Sequence, residues 1–239
     1  MPFDILVEDG PLLAVNKPSG LLTQGVPQGQ PSLESEVKDY LRKKYAKPGN
    51  VYLGVPHRLD RPVSGIVVFG RNSKCAARLA EQFRERSVQK IYLAVTEKIP
   101  DPLQGRLTDW VLKDAAAAHV SVVPAQTADS REAVLEYQVI AQSNGQALVQ
   151  ITLLTGRMHQ IRVQLASRGW PIIGDQQYGA CLTINQRTDH DRLQSPIALH
   201  AWRLSLFHPI RYDRLELEAP VPGYWRSLPV MAEWSFASL

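Results

Sequence analysis

The sequence predicts an α+β fold: one catalytic domain on a mainly antiparallel mixed β-sheet, flanked by helices and loops. Three observations carry this. Short apolar runs outnumber helical stripes along the chain. Several of those runs meet at hairpin dipeptides, Asp9-Gly10 and Asn144-Gly145. The regular alternation of strand and helix that builds a doubly wound parallel sheet is missing.

The elements follow in order. Apolar runs at 5–7 and 12–15 flank Asp9-Gly10-Pro11 and predict an opening hairpin. Asn16-Lys17-Pro18-Ser19-Gly20 then breaks regular structure and reads as a rigid turn. Ser32 can cap a helix whose first turns carry Glu34 and Glu36 and whose end carries Lys43, Lys44 and Lys47. Leu33, Val37, Tyr40, Leu41 and Tyr45 recur along it at helical spacing, and Pro48-Gly49-Asn50 ends it. Residues 65–70 read as a buried strand. Ser73 is expected to cap a second helix with Cys75, Leu79 and Phe83 on its apolar stripe. Strands are expected at 91–95, 134–140, 147–154, 171–173, 198–207 and 215–218, and a helix at 158–167 closed by Gly169. The polar stretch 183–194 reads as a loop, and 115–118 is too short to count as low complexity. No repeat and no shift in composition divides the chain, so 1–239 reads as a single domain.

Composition narrows the function. Apolar residues make up 44% of the 239 residues, enough for a substantial core. No apolar run approaches the roughly 18 residues a membrane helix needs, and the start lacks the basic and apolar regions of a signal peptide. A cytoplasmic protein is the expectation. Cys75 and Cys181 match no zinc or redox spacing, and the six histidines form no metal-binding pattern, so no metal or cofactor is expected. The formal charge is +4, and arginine outnumbers lysine two to one. Guanidinium forks suit phosphate oxygens, although charge alone also fits biased composition.

Three polar segments stand out against this background. Pro56-His57-Arg58-Leu59-Asp60-Arg61-Pro62 sets an acid between two arginines in a loop just before a buried strand. Taken alone, Asp60 is a surface ion-pair residue or a turn former. Lys90-Ile91-Tyr92-Leu93-Ala94 sets a tyrosine on a strand, where it equally suits the core. In residues 155–165, Ile161 and Leu165 share an apolar face while His159 and Arg162 are neighbours on another; a solvated amphipathic helix is the simpler reading.

Together, these segments resemble a known family. H-R-L-D at 57–60 with V-S-G at 63–65, K-I-Y-L-A at 90–94, T-G-R-M-H-Q-I-R-V-Q-L-A-S-R-G at 155–169, P-I-I-G-D-Q-Q-Y-G at 171–179 and A-L-H-A-W-R-L-S-L-F-H-P at 198–209 occur in the order seen in RluA-type pseudouridine synthases. The opening I-L-V-E-D-G-P-L-L-A-V-N-K-P-S-G-L-L is similar too, and the match runs over about 4–222. H-R-L-D with Ser64-Gly65 resembles this group more than the related RsuA group, which typically shows G-R-L-D.

The resemblance implies an enzyme that isomerises chosen uridines of ribosomal or transfer RNA to pseudouridine after flipping the nucleotide out. By this likeness Asp60 is the essential carboxylate, Tyr92 the tyrosine that stacks on the target base, and Arg162 the arginine that pairs with the aspartate. Arg58 then contacts RNA near the flipped nucleotide and His57 shapes the same loop. Arg61, Arg157 and His159 are further expected RNA contacts, and His200 and His208 are expected to orient loops or touch RNA. The partner is RNA, with no membrane, no obligatory protein partner and a monomer expected. Val63 stands where the family usually has threonine, and the opening hairpin at Ile5 leaves no room for the S4 RNA-binding module of many relatives. Two other classes compete. A non-catalytic RNA-binding module could keep the fold, but has no reason to keep Asp60, Tyr92 and Arg162 together. A two-carboxylate glycosidase needs a second catalytic acid, which none of these motifs supplies.

Overall fold

The structure is a computed structural model and describes residues 1–26, 30–114, 119–184 and 195–234. Part of the predicted loop, 185–194, and the short alanine run 115–118 lie outside the described residues, as do 235–239. The chain forms two compact units, Met1–Gln89 with Ala201–Val221, and Lys90–His200 with Pro222–Leu239.

The first unit opens with the expected hairpin, β1 (Asp4–Asp9) and β2 (Leu12–Lys17), turned at Gly10 with positive φ. Helix α1 (Leu33–Lys44) buries Leu33, Val37 and Leu41. Its cap is Ser32, whose hydroxyl accepts from the Ser35 N–H while the Ser35 hydroxyl accepts from the Ser32 N–H. Strand β3 (Ser64–Gly70) pairs antiparallel with β2 and is buried at every position, which is why it reads as an unbroken apolar run. Helix α2 (Ser73–Arg84) starts one residue earlier than expected: the cap is Asn72, whose side chain accepts from the Cys75 N–H at 2.8 Å. Asparagine serves there as well as serine does. Cys75 and Leu79 of α2 pack on Leu12, Ala14, Ile66 and Val68 of the sheet.

The second unit is built on antiparallel strands, beginning with β4 (Gln89–Thr96) and two strands unforeseen from sequence, β5 (Gln104–Asp114) and β6 (His119–Val123). β7 (Arg131–Ser143) and β8 (Gln146–Leu153) form the hairpin predicted from Asn144-Gly145, both with positive φ. The order is β4-β8-β7-β5-β6. Helix α3 (Gln160–Ala166) begins two residues later than expected. The expected strand at 171–173 is an isolated bridge, Thr96 to Ile172. Gly174 at positive φ and a turn beginning at Asp175 stop it from extending.

β9 (Leu199–Phe207) and β10 (Arg214–Glu218) match expectation. From Ala201 on, β9 belongs to the first unit, next to β3 and antiparallel to β10. Residues 223–231 make two short 3-10 turns around the buried Trp225. No helix among the described residues is long and apolar enough to cross a membrane.

Candidate active site

In the first unit, the loop carrying Asp60 has few partners of its own kind. Chain order alone would leave 56–63 a wandering connection into β3. Side chains from earlier segments hold its backbone instead. The Thr23 hydroxyl donates to the Leu59 carbonyl at 2.9 Å and accepts from the Leu59 N–H at 3.1 Å. The Ser19 hydroxyl donates to the Pro62 carbonyl at 2.7 Å, and the Gly20 N–H donates to the Arg61 carbonyl at 2.8 Å. The Val63 N–H closes the turn on the Asp60 carbonyl at 3.1 Å.

Lys17 is the centre of this arrangement, and sequence reading gave it no more than a turn. It is 0% exposed. Its ammonium donates to the carbonyls of Pro18 at 2.8 Å, Leu21 at 2.7 Å and Arg61 at 3.2 Å. Burial pushes it down to about 7; the Asp60 carboxylate opposes that shift, and Arg61 adds to it. A buried cation thus lies within electrostatic reach of the carboxylate.

The other expected contacts in this loop divide into two kinds. Arg58 is exposed and available to a ligand. Arg61 instead donates through Nε to the Gly20 carbonyl at 3.0 Å. His57 accepts at Nε2 from the Val68 N–H at 3.0 Å and stacks on Phe83 at 4.4 Å between centroids. Its ring takes the place of a strand carbonyl within β3. The Val63 side chain is buried, as is Ser64. Gly65 follows with φ +118°, and a Cβ there would stand 2.3 Å from the Ala201 carbonyl oxygen. The glycine of V-S-G is therefore required by the passage of β9.

In the second unit, Tyr92 lies half-buried on β4 opposite Ile151 of β8. The T-G-R-M-H-Q stretch clamps the start of α3. Gln160 accepts from the Thr155 hydroxyl at 2.8 Å and from the Arg157 N–H at 2.9 Å, and donates to the Val134 carbonyl at 3.1 Å. Gln164 donates to Asp109 at 2.7 Å and to the Ala133 carbonyl at 3.1 Å. The simpler expectation of a solvated amphipathic helix is corrected here: Gln160 through Leu165 are all buried, and the polar ones are held by hydrogen bonds.

Arg162 meets a carboxylate that sequence reading did not single out. Its Nε and one terminal nitrogen each lie 2.7 Å from Asp175, a bidentate pair at 4% and 1% exposure. The same nitrogen donates to Gln177 at 2.8 Å, and the guanidinium lies 4.9 Å from the Tyr178 ring centre. The available signal was Asp175 itself, the lone acid in P-I-I-G-D-Q-Q-Y-G. His159 takes the left-handed conformation, φ +52°, and its Nδ1 lies 2.9 Å from the Tyr178 hydroxyl. Arg157 donates through Nε to the Glu132 carbonyl at 2.9 Å. Among the described residues, no group of three or more histidines, cysteines or acids could hold a metal.

Set beside known proteins, the chain falls in a class of enzymes that modify RNA. The model of the RNA pseudouridylate synthase family matches residues 11–167, and the chain belongs to that family. The dual-specificity RNA pseudouridine synthase RluA of Vibrio vulnificus is 33% identical over 229 residues, covering 92% of this chain and 84% of that protein. The tRNA pseudouridine synthase C of Pasteurella multocida is 30% identical, and the match covers all of both chains. Among solved structures, human RNA pseudouridylate synthase domain containing 4 superposes with a TM-score of 0.76 at 26% identity, covering 93% of this chain and 90% of that one. The chain is thus an isomerase acting on uridine in RNA.

Proposed function

We propose that this chain converts uridines of structured ribosomal or transfer RNA to pseudouridine, with Asp60 as the catalytic carboxylate. The carrying observation is the bracing of the Asp60 loop by Lys17, Ser19 and Thr23. Such bracing fixes a reactive group in advance of substrate. The reaction breaks the N1–C1′ bond, turns the uracil and joins C5 to C1′, after which the C5 proton leaves. Two routes suit a carboxylate: attack at C1′, or removal of the 2′ proton. Both require an ionised acid shielded from water, which would otherwise intercept the intermediate.

Tyr92 then offers an aromatic face to the flipped base, with about 1–3 kcal/mol expected from a base–aromatic stack. Arg162, fixed by Asp175, supplies a positioned positive charge to the same reaction, and Arg58 meets the phosphate backbone. Arg61, Arg157, His57 and His159 act mainly by holding these loops. The chain works as one catalytic domain and as a monomer, needs no metal or organic cofactor, and acts in the cytoplasm, where its substrate is found.

The test is tritium release from RNA labelled at uridine C5, with EDTA present. Asp60→Asn should abolish release while the protein stays folded and binds the same RNA. A folded Asp60→Asn protein that releases tritium at near the unsubstituted rate would sink the assignment.

A further inference from the structure

The far end of the first unit, away from the Asp60 loop, carries a cluster that the reaction does not use. β3 runs from Ser64, beside that loop, to Gly70, and six strand steps span about 20 Å. At the Gly70 end, the loop 208–213 joins β9 to β10. It is short, built in advance and held by side chains from three elements. His208 is 2% exposed, and its Nδ1 accepts from the N–H groups of Ile210 at 3.2 Å and Arg211 at 3.1 Å. The Tyr212 N–H donates to the His208 carbonyl at 2.9 Å, and Arg211 pairs with both Asp9 and Asp213. Gln82 of α2 clamps the Phe207 backbone with one bond to the N–H and one to the carbonyl, each 2.8 Å.

This scaffold holds Tyr212 at φ +65° and 60% exposed. A bulky side chain at that conformation is costly, and glycine or asparagine would fit it with less strain. A fixed, exposed tyrosine kept at a strained position points to a binding use. One face of its ring carries the Arg78 guanidinium at 5.0 Å from the centre. Arg78 also donates to the Pro209 carbonyl at 2.6 Å.

A second group flanks the same hairpin tip on the other face of the sheet. Glu8, next to Asp9 along β1 and so on the opposite face, pairs with Lys44 and Arg71; Arg71 and Lys47 lie over the Tyr45 ring at 4.5 Å and 6.0 Å. Taken together, the two faces of this end hold five cations (Lys44, Lys47, Arg71, Arg78, Arg211) against three acids (Glu8, Asp9, Asp213), a net of +2. The three acids are all taken up in ion pairs, while Arg78 and Lys47 rest on rings with no carboxylate within 4 Å among the described residues. Cations interleaved with exposed tyrosines are the chemistry of single-stranded nucleic-acid binding. We propose that this end of the unit is a second RNA-binding surface, where an unpaired base stacks on the exposed Tyr212 ring, Arg78 meets the phosphate beside it, and the strand passes over the hairpin tip to Lys47 on the other face. The inference rests on the proposed action on RNA and adds a contact about 20 Å from the reacting uridine.

The experiment measures anisotropy of a fluorescein-labelled 20-mer of oligouridylate against salt, and tritium release from C5-labelled cellular RNA. Tyr212→Asn relieves the strained backbone, so its melting temperature should hold or rise. Its affinity for the oligomer should nevertheless fall about fivefold to 150-fold, the range set by one base–aromatic stack. Tyr212→Phe should bind like the unsubstituted protein. Arg78→Gln with Lys47→Gln should flatten the slope of log K against log salt by about 0.7 for each phosphate no longer neutralised. In Tyr212→Asn and in the double variant, KM for the RNA should rise while kcat stays unchanged. Unchanged affinity and slope in folded Tyr212→Asn would overturn the proposal. So would loss of self-association in that variant with RNA binding intact, which would mark a protein interface. Absence of tritium release from the unsubstituted protein, with the Tyr212 and Arg78 effects present, would overturn the catalytic reading and leave this surface standing.

Discussion

Replacing Asp175 with asparagine tests the inner support of the candidate site. The wild-type pair is bidentate, both distances are 2.7 Å, and both side chains are at most 4% exposed. Bonds to a charged group contribute about 1.5–3 kcal/mol each. Asparagine keeps the shape but presents an amide NH2 to one guanidinium N–H, so one bond disappears and one is weakened. The guanidinium also forfeits its neutralising charge in a buried place, and removing one partner of such a pair costs about 3–5 kcal/mol. Gln177 stays bonded to it, which favours the lower part of that range. For a chain of 239 residues, about 2–4 °C goes with each kcal/mol, so the melting temperature should drop by roughly 6–20 °C. Thermal melts followed by circular dichroism, at fixed pH and salt, give the value. Tritium release at a temperature where the variant is folded should fall in kcat more than in KM. The double change Arg162→Met with Asp175→Leu should recover most of the stability and none of the activity, since apolar pairs often replace buried ion pairs at no cost to stability. A destabilisation below about 1 kcal/mol in Asp175→Asn, the level of an exposed pair, would refute the reasoning.

Other perturbations give separate outcomes. For Glu8, burial works to raise the carboxyl, but hydrogen bonds from Lys44, Tyr45 and Tyr40 outweigh it and hold the group down at about 2. Its stabilisation should be complete above pH 4.5 and disappear as pH falls towards 2; after solvent screening, Glu8→Gln should cost about 1–2 kcal/mol at pH 7 and show a flatter acid limb in urea titrations. For Lys17, the folded value of about 7 lies below the ordinary 10.5, so the unfolded chain holds the extra proton between them and stability should rise with pH across that window. Lys17→Met should remove that slope in unfolding titrations at pH 7 and 9, and should lower kcat because the Arg61 carbonyl loses one of its two donors and the carbonyls of Pro18 and Leu21 lose the ammonium that ties them to it. Gly65→Ala should prevent recovery of folded protein or cost more than about 3 kcal/mol, because a 2.3 Å approach to the β9 backbone cannot relax; a well-folded Gly65→Ala protein would contradict the strand placement.

Much of the fold was legible because local signals agreed with tertiary ones. Asp9-Gly10 and Asn144-Gly145 specify hairpin turns by backbone conformation alone, and both turned where expected. The unbroken run at 65–70 reported a strand buried on both faces. β5 was invisible for a particular reason. Leu107 and Val111 face inward, but the inward residue between them is Asp109, which breaks the alternation. Its cost is offset by Gln164 and Arg168, which reach it from far along the chain. Among the candidate residues, Asp60, Tyr92 and Arg162 were nameable from their motifs, whereas Lys17 and Asp175 were not assigned roles. Both act on backbone or on another side chain, and such work leaves no mark on spacing or periodicity.

The same logic says where loss of function should arise at residues that never touch RNA. A carboxylate that must meet a polyanion needs a fixed position and nearby positive charge, and neither comes from strand pairing at the end of a sheet. In this chain the position comes from hydroxyls of Ser19 and Thr23, from the ammonium of Lys17 and from the imidazole of His57, each bonded to main chain. Every one of those bonds crosses at least eleven residues of sequence. The Asp60 loop is therefore assembled only when the first unit has folded around it. A substitution at Thr23 should accordingly lower kcat in a protein that still melts cooperatively, because it loosens one staple of the loop while leaving the packed core of β2, β3 and α2 untouched.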